Sequence, residues 1–133
     1  MPYLCLVQSV EAPGLVHIGQ TMRPLVEVQR LQQRYAARLR LLAYARAYSV
    51  LAPVLWARFA HVLAGAGGAQ WYMPDRRLVA VAKLLRRRDP EQLITTDELL
   101  AMFTVVFPEA PFPGIGEYRT CEAYIQQVRR QRN

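Results

Sequence analysis

The chain is short of the residues that staple small folds or grip metals. It has two cysteines, Cys5 and Cys121, far apart. They form neither a disulfide framework nor a zinc spacing, and reduced, packed thiols suggest a cytoplasmic protein. No apolar run approaches the roughly 20 residues of a membrane span, so no membrane partner is expected. Met1-Pro2-Tyr3 lacks the charged start of a secretory signal. No convincing internal repeat is present. Lysine is almost missing, Lys83 being the only one, and residues 50–61 contain no carboxylate at all.

What is present is arginine. The chain has 133 residues and a net charge of +7, with a pI near 10.0. That length suits one compact domain with a genuine core and a small appendage. Guanidinium forks suit bidentate phosphate contacts, so the charge points to a nucleic-acid partner. The plainer reading is arginine standing in for lysine on solvated faces.

Strand signals crowd the first third. Tyr3 to Val7 is a continuous apolar run, too apolar for a solvent-exposed strand. Pro13-Gly14 turns the chain, and Leu15 to Gly19 returns as an antiparallel partner. Pro24 opens a helix to about Tyr35, with Leu25, Val28 and Leu31 at helical spacing. A third strand is expected across residues 39–48, where apolar and polar residues alternate imperfectly.

Helices fill the rest. Ser49 is the expected N-cap of a helix to about Ala64. Pro74-Asp75 begins another, which ends in Arg86-Arg87-Arg88, a basic last turn complementing the helix dipole. Thr95 and Glu98 have capping-box spacing. Pro108 to Gly116 reads as irregular loop, and Thr120 as the cap of a last helix to about Arg130. The expected class is α+β. The sheet would be small, three-stranded, mixed or antiparallel, and flanked by helices. Residues 1–88 would form this domain and residues 89–133 a helical C-terminal extension.

The most informative stretch is His17-Ile18-Gly19-Gln20-Thr21. Gly19 is expected to close the strand where a side chain would obstruct an approaching group. A strand thus hands over to a basic helix, a suitable junction for a phosphate. The alternative is an ordinary hairpin in which Gly19 serves only a turn.

Together, the N-terminal β-run, His17-Ile18-Gly19, Thr21, the helix ending Leu31-Gln32, the helix around residues 51–60 and Gln70-Trp71-Tyr72 resemble the GIY-YIG endonuclease superfamily. The likeness is greatest to its small phage and bacterial branch, and covers about two-thirds of the chain. The resemblance implies a DNA-cleaving face on the sheet. In active members a tyrosine or its substitute acts as base, an arginine steadies the phosphate, and a helix glutamate binds one divalent metal. Here the first motif's tyrosine falls at Cys5, with Tyr3 close by, and His17 holds the second motif's position. The helix arginine falls at Glu27, with Arg23 and Arg30 as partial substitutes. The metal-binding glutamate falls at Ala52, and the histidine that often follows becomes Trp56. Alanine offers no ligand atom, so no metal residue is assigned.

Three readings follow. The first is a catalytically degenerate GIY-YIG-like protein that binds nucleic acid, DNA above RNA, without a cofactor. Its site residues would be His17, Gly19, Thr21, Arg23, Arg30, Arg34 and Arg58. The second is an active endonuclease using His17 as base with Mg or Mn held by a carboxylate of the extension. The third is an interaction module, in which an exposed Trp56 or the C-terminal helices bind a protein partner or a second copy.

Overall fold

The computed structural model describes residues 2–35, 38–49, 51–64 and 70–109. Its elements in chain order are β1 (Tyr3–Ser9), β2 (Val16–Thr21), α1 (Pro24–Tyr35), β3 (Leu39–Arg46), α2 (Leu51–Arg58), β4 (Trp71–Tyr72), α3 (Arg76–Arg86) and α4 (Thr96–Val106). A 3-10 turn over Ala60–Val62 follows α2. The class is α+β. The sheet has four strands rather than three, in the order β3-β1-β2-β4, and every pairing is antiparallel. The added strand is β4, only two residues long, which pairs Tyr72 with Val16 and Trp71 with His17.

β1 lies at the centre, and its unbroken apolar run is buried on both sides. Leu4 and Leu6 join Val16, Ile18, Ala43 and Ala45 in the larger core, where α2, α3 and α4 pack. Cys5 and Val7 point the other way and meet Leu31 of α1, with Val28, Tyr35, Leu39 and Leu41 around them. Successive strand residues face opposite sides, so one seven-residue strand feeds two cores. The result is three layers, with α1 on one face and the other helices on the opposite face.

Local signals set the boundaries. Gly14 has φ +80°, a conformation in which a Cβ is strained, and it closes the β1–β2 turn after a cis Ala12-Pro13 bond. Asp75 caps α3 by accepting from the Arg77 N–H at 2.7 Å. Thr95 caps α4 by accepting from the Glu98 N–H at 3.1 Å. The helix expected over residues 49–64 is shorter, ending at Arg58 and giving way to the 3-10 turn.

Glycine was expected to end the second strand, but β2 runs through Gly19 to Thr21, held by pairing of Gly19 with Cys5 and Thr21 with Tyr3. The segment from Asp89 onward folds against the first 88 residues as far as the structure describes it. Backbone bonds tie Arg46 to Pro90 and Ile94. From α4 and its cap, Leu99, Met102, Phe103, Val106 and Phe107 belong to the larger core. The rest of the loop expected over Pro108 to Gly116, from residue 110 on, and the helix expected from Thr120, with Cys121, lie outside the described residues.

Phe103 is fully buried in that core, so Phe103→Ala should cost about 3–5 kcal/mol. A denaturant titration should show one transition moved to lower denaturant. An unchanged midpoint would mean that α4 is not integral to the core.

Candidate functional site

β2 presents His17, Gly19 and Thr21 to the α1 side of the sheet, because their partners Val7, Cys5 and Tyr3 alternate onto that side. His17 does not sit at an open junction. Its half-buried imidazole stands edge-on to Trp71, with centroids 5.1 Å apart, and Trp71 in turn meets Tyr35 at 5.4 Å. The last residue of α1 therefore closes an aromatic row across the end of the sheet. The indole Nε1 of Trp71 is buried and has no hydrogen-bond partner among the described residues.

Gly19 makes room for this ring. A Cβ there would stand 2.9 Å from His17 Cε1 and 3.3 Å from Nδ1. The space left by the missing side chain is filled by the neighbouring imidazole, so Gly19 serves packing. Thr21 is also used locally, its hydroxyl accepting from the Arg23 N–H at 3.1 Å as the chain turns into α1.

The electrostatics favour the uncharged forms of His17 and Cys5. Burial lowers the His17 pKa; the Glu27 carboxylate opposes that shift and Arg30 adds to it. Burial, with a smaller contribution from Glu27, pushes the Cys5 thiol up to about 12, so it stays protonated. The Glu27 side chain is only 17% exposed and turns inward, while Arg30 closes on it as a fork. Arg30 Nε donates to Oε2 at 3.1 Å and Nη2 donates to Oε1. Arg30 is thus committed to a carboxylate in the geometry it would otherwise offer a phosphate.

The remaining expected residues separate. Arg23 and Arg34 are exposed around α1, with the Arg34 guanidinium 5.5 Å from the Tyr35 ring centroid. Arg58 lies on the other side of the sheet, stacked on Phe103 and Phe107 of the α4 layer at 5.0 and 4.7 Å. It shares no surface with the α1 arginines. Ala52 is buried in the larger core with Ile18, on the face opposite His17. A carboxylate at position 52 would be placed among apolar side chains at a large desolvation cost. Trp56 is partly buried against the same core, and its Nε1 donates to the Ile18 carbonyl at 2.8 Å. The indole satisfies β2 next to the point where the two-residue β4 stops.

A second polar cluster joins elements distant in sequence. Tyr3 donates to Glu91 Oε2 and accepts from Arg46 Nη2 at 2.8 Å. Arg46 also binds the Glu91 carboxylate at 3.1 Å. The bond to Glu91 raises the Tyr3 pKa, so the phenol keeps its proton. No local pattern reveals Glu91, because the contact depends on the 89–94 segment folding back along β3. Among the described residues no group of three or more His, Cys, Asp or Glu comes together.

Two outcomes check this site. Gly19→Ala should destabilise by about 1–3 kcal/mol through overpacking, and much less in a His17→Ala background. Additive costs in that double-mutant cycle would contradict the contact. A histidine with a lowered folded pKa contributes stability above its ordinary value near 6.5, and this is lost as pH falls through the folded pKa. Unfolding midpoints should therefore drop between pH 7 and pH 5 more in the wild type than in His17→Gln; equal drops would contradict the burial.

Comparison of the chain with protein-family models, with curated proteins and with solved structures finds no match in any of the three.

Proposed function

We propose that this chain binds nucleic acid through phosphate contacts and does not cleave it, on an architecture resembling that of the GIY-YIG endonucleases. The observation that carries the reading is how the charges are paired. Glu27, Glu91, Glu98 and Glu109 are taken up by Arg30, Arg46, Arg88 and Arg77. Among the described residues no ion pair joins an acidic group to the exposed Arg23 and Arg34 around α1 or to Arg76, Lys83, Arg86 and Arg87 along α3. An excess of unpaired surface cations lowers the free energy of a polyanion at the surface and releases its counterions.

The absence of cleavage is supported by the resting state of each candidate group. His17 is packed against Trp71, Cys5 is protonated, Tyr3 is a committed donor, and Ala52 faces away from His17. A general base must reach the proton it takes, directly or through one water. This imidazole is half-buried, packed edge-on against Trp71 with no hydrogen-bonded carboxylate among the described residues to orient it.

Fluorescence anisotropy with a labelled DNA duplex should show binding at 50 mM salt. Affinity should fall by about a hundredfold at 200 mM if four phosphates are neutralised. Supercoiled plasmid with Mg or Mn should stay uncut. No binding at 50 mM would overturn the binding reading, and nicking abolished by His17→Ala would overturn the claim of inactivity.

A further inference from the structure

Helix α3 carries charge in a pattern that its packing does not require. Its buried residues Leu78, Val81, Ala82 and Leu85 fall within one arc at 100° per residue. On the same wheel Arg76, Lys83 and Arg87 fall within about 40° of one another, on the side opposite that arc. All three are exposed, and Arg87 keeps helical backbone as the C-cap. Arg86, also exposed, flanks this ridge. From Arg76 to Arg87 the ridge is about 16 Å long.

The flanking cations behave differently. Arg77 pairs with Glu109 and stacks on Phe107. Arg88 binds the Glu98 carboxylate and donates to the Gln92 carbonyl at 2.8 Å. Acidic partners thus neutralise the cations at the helix sides and leave the outer ridge uncompensated. The helix dipole accounts for Lys83 and Arg86 in the last turn but disfavours Arg76 in the first. Arg76 therefore needs another reason.

We propose that α3 is the element that docks on duplex DNA, with Arg76, Lys83 and Arg87 on the phosphate backbone and Arg86 beside them. This rests on the nucleic-acid-binding reading and assigns it a surface. The ridge carries no aromatic side chain, so it offers no stacking platform for unpaired bases. Laid across the B-form major groove, about 12 Å wide, a ridge about 16 Å long reaches the phosphates of both walls, whereas the A-form major groove of duplex RNA is narrow. The α1 arginines cannot share the task on a straight duplex, because α1 and α3 cover opposite faces of the sheet.

The test compares the full chain with the triple variant Arg76→Gln/Lys83→Gln/Arg87→Gln and with Arg23→Gln/Arg34→Gln. The probes are duplex DNA, duplex RNA and single-stranded DNA, titrated over a series of salt concentrations. Duplex DNA should bind tightest. The triple variant should lose tenfold or more in affinity at about 100 mM salt. Its slope of log affinity against log salt should flatten by about 2.7, three contacts at about 0.9 each. Its melting temperature should not move, since the three residues are exposed. If the triple variant keeps the wild-type slope while the wild type binds DNA, the assignment to α3 falls and the binding reading stands. An equal or larger loss in the α1 variant, or preference for RNA or single strands, also overturns it. No binding by the wild type removes both.

Discussion

The fold depends on the double burial of β1. Leu4 and Leu6 on one side, and Cys5 and Val7 on the other, are each almost completely excluded from solvent. A strand with two apolar faces must be covered twice. That requirement sets the three layers, places α1 alone on one side and gathers α2, α3 and α4 on the other. It also makes β1 a central strand, since an edge position would leave its backbone groups unpaired on one side. Both candidate surfaces inherit their separation from this arrangement.

The consequence for chemistry is that residues close in a linear motif need not share a face. His17 and Ile18 are neighbours in sequence and point into different cores. Ala52, packed with Ile18, is thereby held away from the imidazole. Arg58 follows α2 to the same side and stacks on the phenylalanines of the α4 layer. What remains around His17 is a packed seam of aromatic rings, a protonated thiol and a carboxylate already gripped by Arg30. Such a seam contributes to stability, and the polyanion binding proposed above draws on charges elsewhere on the surface.

Much of this architecture could be read from the residues, and the reasons differ by element. The continuous run at residues 3–7 announced a strand covered on both faces, and Pro24, Asp75 and Thr95 marked helix starts because capping chemistry is local. β4 was not legible, because a two-residue strand is defined by its partners Val16 and His17 and by nothing in Trp71-Tyr72 itself. The Tyr3–Arg46–Glu91 cluster stayed hidden because it spans 88 residues, from one end of β1 to the turn before α4. The sequence around Gly19 suggests room kept for an approaching group or a turn, whereas its space is filled by the ring two residues earlier, which only register reveals. For the site, residue types were easier to see than faces. Arg86 and Arg87 stood out as part of a run, while Arg76 and Lys83 became meaningful only once the buried stripe of α3 fixed the opposite side of the helix.

The most direct measurement is an amide-resolved NMR titration of the full chain with a short DNA duplex at low salt. The account predicts shift changes concentrated on α3 between Arg76 and Arg87, with α1 and the His17–Thr21 segment unmoved. Changes centred on His17, Gly19 and α1, with α3 silent, would contradict it.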